Sequence, residues 1–303
     1  MQDSSKLSRS SGYCTQFYPE LARLEAGHFW FRARNRLILG LLEQYLPELQ
    51  SFLEIGCGTG FVLSALAKHW PDAKLQGSDT LSKGLEFAAR RLPGVALHVM
   101  DARAIPFREE FEAIGAFDVL EHVKEDERIM EQVCAALKPG GIFLLSVPQH
   151  PWLWSQVDQA SGHQRRYTVH DLHSKLTRNG FAILRSTSFV CLPLPMMFVS
   201  RWRTKKVKNI DPLQELQVHP MVNTLLTIVL NMEVTAVRRG INLPCGGSRL
   251  VVAQKRLKHG TQGFRSTLKL EEETVNSSSF LTAITCNFGE DVLRPKNNVP
   301  CAE

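Results

Sequence analysis

The residues best suited to chemistry form a glycine-rich segment, Gly56-Cys57-Gly58-Thr59-Gly60, which directly follows an apolar run ending in Glu54-Ile55. Glycine allows positive φ angles and lets a ligand lie directly against the backbone at the carboxyl end of a strand. Asp79 follows about twenty residues later, where a carboxylate can bind the two ribose hydroxyls of a nucleoside. The spacing therefore predicts a nucleoside-binding site.

The glycine spacing separates two classes of nucleoside ligand. A dinucleotide fingerprint is Gly-x-Gly-x-x-Gly, in which a helix N-terminus receives the pyrophosphate. This chain has Gly-x-Gly-x-Gly instead, and Phe61 stands where the third glycine would be. Glu54 also suits a cationic ligand better than a pyrophosphate, because like charges repel at short range. A nicotinamide-dependent oxidoreductase is kept as an alternative against which the spacing argues.

The framework that must position this loop is predicted from the alternation of short apolar runs with helical stretches after Ser51. Such alternation is typical of a parallel sheet covered by helices on both faces. The predicted strands cover residues 51–55, 74–78, 96–100, 111–117, 142–147, 181–187 and 248–254. The predicted helices between them cover residues 61–68, 82–91, 126–137 and 169–179. The third of these is expected to stop at a turn over 138–141, because proline cannot continue a helix.

The segments outside this alternation set the predicted domain boundaries. Residues 1–50 are predicted to form a tail and a helical flap, with a helix over 18–46 that carries an aromatic and basic cluster at 28–34. That cluster either packs on the core or covers the active cleft. The other predicted segments are a core over 51–189, an apolar and basic helical insertion or lid over 190–247, a last core strand over 248–257 and a disordered tail over 258–303.

Composition excludes several classes of protein. With 303 residues, of which 44% are hydrophobic and 22% charged, the chain can form a packed core and does not match a disordered or collagen-like protein. Its 7 cysteines include no Cys-x-x-Cys pair, so a disulfide scaffold or zinc ribbon is not expected and no metal site is predicted. Residues 1–12 are polar and serine-rich, without the apolar stretch of a secretory signal, and we expect a cytoplasmic protein.

Five motifs occur in the order found in class I S-adenosylmethionine-dependent methyltransferases, and the chain resembles that family over residues 51–254. The motifs lie at residues 54–60, 77–79, 100–102, 118–123 and 137–141. The resemblance implies an α/β fold of the Rossmann type, with a doubly wound, mostly parallel seven-stranded sheet whose last strand is antiparallel. An N-terminal helical flap and a helical insertion before the last strand complete the expected architecture.

The resemblance also implies how S-adenosylmethionine is held as the cofactor at the first strand. Gly56, Gly58 and Gly60 would pass under its methionine part, and Cys57 belongs to the same loop. Glu54 would help through the loop or through the ammonium group of the cofactor.

The next three motifs supply the remaining expected cofactor contacts. Asp79, which is followed by Thr80, would bind the ribose. Asp101 would accept a hydrogen bond from the adenine amino group, while the Ala102 N–H meets a ring nitrogen. Asp118 would face the cleft beside the methyl donor.

The segment after the fifth predicted strand resembles a bacterial type 11/12-like subfamily, through residues 146–155, Asp158 and residues 162–167. Many members carry a histidine directly before the acid, where this chain has Val157, so no catalytic role is predicted at that position. The substrates of the subfamily are poorly defined. The resemblance therefore leaves the methyl acceptor open.

Histidines near the expected cleft are the candidate catalytic residues. His122 and His163 follow strands at the carboxyl edge of the sheet, and an imidazole with a pKa near 6.5 is a natural general base. The alternative role for His122 is to cap a helix or to orient Glu121. The candidates for acceptor binding are Trp154, Asp158, Arg165, Arg166 and Tyr167. Surface charge for the arginines and packing beneath the loop for the aromatic residues are the alternatives.

These residues predict methyl transfer to an unidentified small-molecule or lipid-like acceptor, at oxygen, nitrogen or carbon. A nucleic-acid methyltransferase is an alternative, but base methylation usually needs an Asn/Asp-Pro-Pro-aromatic segment where this chain has Asp118-Val119-Leu120-Glu121. No nucleic-acid partner is therefore expected. A non-catalytic module that binds S-adenosylmethionine is a further alternative.

The insertion combines features that favour contact with a membrane surface. It has five cations between Arg201 and Lys208, a proline-broken apolar stretch, and a helical stretch over 221–239. Apolar residues recur along that helix at Val222, Leu225, Leu226, Val229 and Met232. This stripe either packs on the core or lies in the membrane interface, and the helix is judged too polar to span a bilayer. Peripheral contact through 190–240, at the inner face of the membrane, is thus one expectation, and a solvated lid is the other.

Overall fold

Helices and strands alternate along the chain, as the apolar runs predict. In the computed structural model, which describes residues 17–204 and 216–257, the strands are β1 (Ser51–Ile55), β2 (Lys74–Asp79), β3 (Ala96–Val99), β4 (Phe111–Phe117), β5 (Leu137–Pro148), β6 (Phe181–Phe189) and β7 (Ser248–Lys255). The helices are α1 (Tyr18–Leu24), α2 (Phe29–Tyr45), α3 (Phe61–His69), α4 (Ser82–Arg91), α5 (Asp126–Ala136), α6 (Gln156–Ala160), α7 (Val169–Arg178), α8 (Leu194–Thr204) and α9 (Pro220–Arg238). The predicted disordered tail over 258–303, the polar segment 1–12 and residues 205–208 of the cationic run lie outside the described residues.

The described strands form one sheet in the order β3-β2-β1-β4-β5-β7-β6. Strand β1 pairs in parallel with β2 and β4, and β4 pairs in parallel with β5. Strand β7 lies between β5 and β6 and runs antiparallel to both. The predicted doubly wound sheet with an antiparallel last strand is confirmed. The strand order reverses between β1 and β4, and the crevice at their carboxyl ends is where such sheets bind ligands.

Helices cover both faces of the sheet because successive side chains of a strand point to opposite sides. In β1, Phe52 packs in one buried apolar cluster and Leu53 in the other. The first cluster includes side chains of α2, α3 and α9, and the second includes side chains of α5 and α7. All residues of β1 are buried, which places Glu54 inside the molecule directly before the glycine loop.

The N-terminal helices and the insertion share one layer. Helix α9 packs against α2 and buries Leu226, Leu230, Glu233, Val234 and Val237. The Glu233 carboxylate accepts a hydrogen bond from the Leu192 N–H at 2.7 Å, which ties α9 to the segment after β6. The predicted N-terminal helical flap and helical insertion are therefore both present, and each helps to cover the first apolar cluster.

Two predictions differ from the structure by more than a shift of one or two residues at an end. The single helix predicted over 18–46 is two helices, because His28 starts a new one: its Nδ1 accepts a hydrogen bond from the Trp30 N–H at 3.2 Å. The turn predicted over 138–141 lies within β5, whose pairing with β4 carries a register shift. Gly140 has a φ of 75° there, so the glycine allows the strand to begin with a bulge.

Candidate functional site

The glycine loop joins β1 to α3 at the crevice between β1 and β4. Gly56, Gly58 and Gly60 have φ angles of 67°, 51° and 73°, a conformation that residues with a side chain rarely adopt. A Cβ atom at Gly56 would lie 2.5 Å from Val119 Cγ2, so there is no room for a side chain at that position. The Cys57 N–H donates to the backbone of β2 at 2.9 Å and holds the loop against the neighbouring strand. The loop therefore leaves its backbone available to a ligand.

Asp79 ends β2 and closes the loop from the side. Its Oδ2 accepts a hydrogen bond from the Gly58 N–H at 3.0 Å, and its Oδ1 accepts one from the Leu81 N–H at 2.9 Å. Burial raises the pKa of Asp79, and these backbone donors oppose that effect. Thr80, the next residue, is exposed. The carboxylate is thus fixed by backbone atoms while each oxygen keeps a lone pair for a further donor.

Glu54 is a buried carboxylate with an unsatisfied oxygen. It is 3% exposed, and its Oε2 has no hydrogen-bond partner among the described residues. Burial raises the pKa of Glu54 to about 8, although the charge of Arg34 favours the ionised form. A cation beside the loop would satisfy this oxygen, so the residues present fit a cofactor that carries an ammonium group.

Asp101 and Ala102 follow β3 at the same edge of the sheet. The Met100 N–H donates to the Asp79 carbonyl at 3.0 Å, which brings this segment beside the end of β2. Asp101 forms an ion pair with Arg103 at 2.7 Å, and the hydrogen bonds from Arg103 lower the pKa of Asp101. Ala102 is buried. The structure therefore gathers the residues predicted to hold adenosine along the ends of β1, β2 and β3.

Asp118 begins the connection after β4 and meets the N-terminal flap. It has a φ of 58°, and its Oδ1 accepts a hydrogen bond from the Ser146 hydroxyl at 3.2 Å. Its other oxygen, Oδ2, pairs with the guanidinium of Arg34, which also stacks on the Trp30 ring with its Cζ atom 4.4 Å from the ring centroid. Helix α2 thus reaches the end of β4 through Arg34, and Phe29 and Trp30 of the same segment pack against the first apolar cluster, as the core-packing alternative predicted.

A second contact fastens the flap to the glycine loop. The Thr59 hydroxyl hydrogen-bonds to the buried Glu25 carboxylate, which it contacts at 2.7 and 2.9 Å, and Arg91 of α4 pairs with the same carboxylate at 2.5 Å. A Cβ atom at Gly84 would lie 2.9 Å from Tyr18 Cε1, so the tyrosine ring of α1 packs closely on α4. Helix α1 and the turn after it therefore lie against the outer side of the loop.

The predicted catalytic histidines lie together on the opposite side of the crevice. His122 ends a 3₁₀ turn at Leu120–His122, and its ring centroid lies 4.8 Å from that of His163 in an edge-to-face arrangement. Nδ1 of His163 lies 3.1 Å from Asp158 Oδ1. Burial, with a smaller contribution from His163, lowers the pKa of His122 to about 3. An imidazole with that pKa is a weak general base at neutral pH.

Asp158 is the centre of a buried ionic network. Its side chain is fully buried and lies 2.8 Å from Arg166 and 3.3 Å from Arg201. Burial would raise the pKa of Asp158, but the hydrogen bond from His163 and the charge of Arg166 hold it well below its ordinary value. Arg166 is also buried, so surface charge does not describe it. Arg201 begins the cationic run that was expected to face solvent or lipid. In the structure its guanidinium contacts Asp158 instead.

The remaining acceptor candidates differ in their exposure. The Tyr167 ring is buried, and its hydroxyl donates to Asp126 at 2.8 Å. Arg165 pairs with the same carboxylate at 2.9 Å. Trp154 is half-buried. Tyr167 therefore positions the loop by packing beneath it, which is the alternative that the sequence left open, while the role of Trp154 stays a prediction.

Sequence reasoning missed three residues that organise this site. Arg34 lies in the aromatic and basic cluster, and that cluster was the signal that could have found it. Glu25 carries no comparable signal, because it is an ordinary charged residue in a helical stretch, and the cationic run that contains Arg201 predicted contact with solvent or lipid instead. Their contacts with Thr59 and Asp158 cross sequence separations of 34 and 43 residues.

Comparisons with known proteins agree with this geometry. A sequence profile for the family described as "Methyltransferase domain" matches residues 23–186. The chain is 32% identical over 106 residues to trans-aconitate 2-methyltransferase of Variovorax paradoxus, which covers 35% of this chain and 41% of the relative. It is 26% identical over 160 residues to ubiquinone biosynthesis O-methyltransferase of Bordetella avium, which covers 49% and 63%. The chain thus spans less than two thirds of either relative.

A solved structure has the same fold. A SAM-dependent methyltransferase from Thermotoga maritima superimposes with a TM-score of 0.53 at 16% identity. The match covers 84% of this chain and 100% of that protein. At this level of identity the likeness shows the fold alone.

Proposed function

The chain belongs to the class I S-adenosylmethionine-dependent methyltransferases, and we propose that it transfers the cofactor's methyl group to a small-molecule or lipid-like acceptor at oxygen, nitrogen or carbon. The observation that carries the proposal is the buried Glu54 carboxylate, with its unpartnered oxygen, directly before a loop of three left-handed glycines. The relatives act on different acceptors, so their names fix the reaction class and not the substrate.

The residues at the ends of β1 to β3 divide the cofactor between them in this proposal. Glu54 holds the ammonium group, the glycine loop lies against the methionine part, and Asp79 binds the ribose hydroxyls. Asp101 and Ala102 receive the adenine. When bound, S-adenosylmethionine supplies an electrophilic methyl carbon that a lone pair of the acceptor attacks in line. The protein contributes mainly position, because no other activation of the methyl group is needed.

The flap limits access of water to the reacting atoms. Arg34 and Asp118 are 11% and 23% exposed in their side chains, so their ion pair is largely shielded from solvent. The pair connects α2 to the end of β4, where the acceptor must approach the methyl group. We place the acceptor between this pair and the loop over 150–167, with Trp154 on its wall.

Calorimetry with S-adenosylmethionine tests the cofactor site. Asp79→Ala should weaken binding by about 1.5–3 kcal/mol, because charge-assisted hydrogen bonds to the ribose are lost. Asp72→Ala, which removes an exposed carboxylate shortly before β2, is the matched control and should bind normally. Tight binding of NAD without S-adenosylmethionine binding would restore the oxidoreductase alternative.

Labelled cofactor identifies the acceptor. The protein is incubated with methyl-labelled S-adenosylmethionine and, separately, with lipid extracts, metabolite extracts and nucleic acid. Label in the lipid or metabolite fraction supports the proposal, and label in nucleic acid contradicts it. Cofactor binding without transfer to any fraction would favour the non-catalytic module.

A second proposal concerns the insertion, where α9 carries an exposed apolar stripe. Met221, Leu225, Ile228 and Met232 are each more than half exposed and recur at helical spacing. Among the described residues, α9 is also the helix that is long and apolar enough to cross a membrane, with 19 residues and a mean hydropathy of 1.3. The expectation that it is too polar to span is wrong by that criterion. Its other face packs on α2, however, and we propose that the stripe lies on a membrane surface.

The apolar residues before and within α8 extend this surface. Leu192, Met196 and Phe198 are each about half exposed. Such a surface would let a lipid-like acceptor reach the cleft from the inner face of the membrane, with the protein body in the cytoplasm. Because Arg201 pairs with Asp158, attraction to anionic lipid would depend on the other cations of the run over 201–208.

Flotation with vesicles tests the surface. The protein should float with anionic vesicles, and less as salt rises, because screening weakens the attraction to the headgroups. The double variant Leu225→Ser, Ile228→Ser should lose flotation, whereas Thr224→Ser on the same helix should not. Equal flotation of the unmodified protein, the double variant and Thr224→Ser would refute contact through the stripe. If the unmodified protein does not float, α9 is part of a lid and does not contact a membrane.

A further inference from the structure

Glu121, His122 and His163 bring three potential metal ligands together beside the crevice. Glu121 and His122 come from the 3₁₀ turn after β4, and His163 comes from the loop after α6. One donor atom from each side chain lies within 4.8 Å of the donors of the other two. The site was not predicted from the sequence, because Glu121 and His122 lie 42 and 41 residues before His163 and share no ligand motif with it.

The Glu121 carboxylate is the independent sign that a ligand belongs here. The side chain is fully buried, and neither of its oxygens has a hydrogen-bond partner in another described residue. An uncompensated buried carboxylate costs several kcal/mol, so such groups in proteins are paired or bind metals. The cationic Arg34 and Arg166 are near enough to act on Glu121 electrostatically, but neither donates a hydrogen bond to it.

Each histidine is already oriented by an outer partner. Nδ1 of His163 lies 3.1 Å from the Asp158 carboxylate, which leaves Nε2 as its metal-binding nitrogen. His122 forms a hydrogen bond with the backbone of Gly162, the residue directly before His163. A carboxylate or backbone group behind each imidazole is the usual support of a metal-binding histidine.

Backbone contacts hold the two segments in register. The Gln164 N–H donates to the Glu121 carbonyl at 2.7 Å, and an Arg165 Nη2 donates to the Lys124 carbonyl at 2.8 Å. These two hydrogen bonds join the segment that carries Glu121 and His122 to the segment that carries His163.

We propose that Glu121, His122 and His163 bind a divalent transition-metal cation. Two imidazoles and one carboxylate suit zinc, cobalt or manganese better than magnesium or calcium, which prefer oxygen ligands. Two donors on a tetrahedral metal with bonds of about 2.1 Å are about 3.4 Å apart, so the donor atoms, which lie within 4.8 Å of one another, must move closer together when the ion binds. Three protein ligands leave open positions on the ion for the acceptor.

The site names a class of acceptor, and this step rests on the proposed function. A bound dication lowers the pKa of a coordinated hydroxyl group, so the acceptor oxygen loses its proton to solvent. That oxygen then forms a bond to the methyl carbon, and the carbon–sulfur bond breaks with its electron pair moving to sulfur. The products are a methyl ether and S-adenosylhomocysteine. His122 and His163 then act as ligands in place of the predicted role as bases.

Cobalt binding to the full-length protein tests the site without any turnover. The protein is stripped with a chelator and titrated with Co²⁺ alone, and the visible absorption of the ion is followed. One equivalent should bind, Glu121→Gln and His163→Asn should each weaken binding by more than about tenfold, and Asp158→Asn by about 10–100-fold. His170→Asn removes an exposed histidine and is the matched control.

Thermal unfolding followed by circular dichroism shows whether a variant that loses Co²⁺ binding is still folded. Glu121→Gln replaces a buried, unpartnered carboxyl group by an amide of the same shape and should not lower Tm, so its loss of Co²⁺ binding would not come from unfolding. Absence of Co²⁺ binding, or binding that Glu121→Gln leaves unchanged, would overturn the site. Calorimetry of the stripped protein with S-adenosylmethionine is a separate measurement. Cofactor binding without Co²⁺ binding would support the proposed function and contradict the metal site. Co²⁺ binding without cofactor binding would support the metal site and contradict the proposed function.

Discussion

The two sides of the crevice are built in different ways. On the cofactor side, Glu54, the glycine loop and Asp79 come from short, neighbouring segments and are fixed mainly by backbone hydrogen bonds. On the proposed acceptor side, Asp158 is fixed mainly by side-chain ion pairs, with Arg166, which is 8 residues away in sequence, and with Arg201, which is 43 residues away. Local backbone geometry therefore shapes the half that we propose holds the cofactor, while a charged network shapes the half that we propose holds the acceptor.

The largest effect should come from removing the centre of the acceptor side. Asp158→Ala leaves Arg166 buried without its carboxylate and should cost about 3–5 kcal/mol of unfolding free energy. Urea unfolding measures this. Asp171→Ala, which removes a carboxylate that is 47% exposed, is the control and should stay within about 0.5 kcal/mol. A loss below about 1 kcal/mol at Asp158 would show that the two sides do not differ in this way.

Removing the Glu54 carboxylate should stabilise the protein, whereas removing that of Asp158 destabilises it. In the absence of a cofactor, the ionised Glu54 side chain is buried without a partner and lowers the unfolding free energy. Its pKa is raised from 4.5 to about 8, so the folded state retains a proton that the unfolded state has released. Stability from this proton is complete below pH 4.5 and is lost as pH rises through about 8. Glu54→Gln should therefore raise the unfolding free energy at pH 8 by a few kcal/mol, on the order of 3.

The same variant should bind S-adenosylmethionine more weakly, which separates stability from function. Unfolding followed at pH 5 and at pH 8 gives the first quantity, and calorimetry gives the second. The stabilisation should be smaller at pH 5, because Glu54 in the folded protein, with a pKa of about 8, is protonated there and carries no buried charge. Glu112→Gln, at a half-buried carboxylate paired with Lys138, is the control and should show no such rise. An unchanged pH dependence would mean that Glu54 ionises normally.

The arrangement of the cofactor side could be predicted from the sequence better than that of the acceptor side, because contiguous motifs form the first and distant charged residues meet in the second. Gly56, Gly58 and Asp79 lie in contiguous motifs, and alternation of apolar residues defined the strands that carry them. The pairing of Arg34 with Asp118 spans 84 residues, and no local pattern in one chain shows which distant charges meet. The stripe of α9 was ambiguous for another reason: its adjacent Leu225 and Leu226 are both apolar, yet one is exposed and the other buried.

Arg34 links the two sides, and its removal should have an intermediate effect. Arg34→Met keeps much of the packing on Trp30 but leaves Asp118 without its cation, which should cost about 1–3 kcal/mol of unfolding free energy. Because the pair holds α2 over the cleft, limited proteolysis should also cut the flap faster. Arg32→Met, two residues earlier on the exposed side of the same helix, is the control. Equal proteolysis of both variants would show that the ion pair does not hold the flap.

The smallest effect on stability should occur on the exposed stripe of α9, which belongs to neither side of the crevice. Leu225 is 60% exposed, so Leu225→Ser removes few contacts and should change the unfolding free energy by no more than about 0.5 kcal/mol. The adjacent Leu226 is buried against the core, and Leu226→Ala should cost about 2–5 kcal/mol. Urea unfolding of the two variants compares the faces of one helix directly. A Leu225→Ser loss as large as that of Leu226→Ala would mean that the stripe is covered by another part of the protein in solution, and a membrane contact through it would then be untenable.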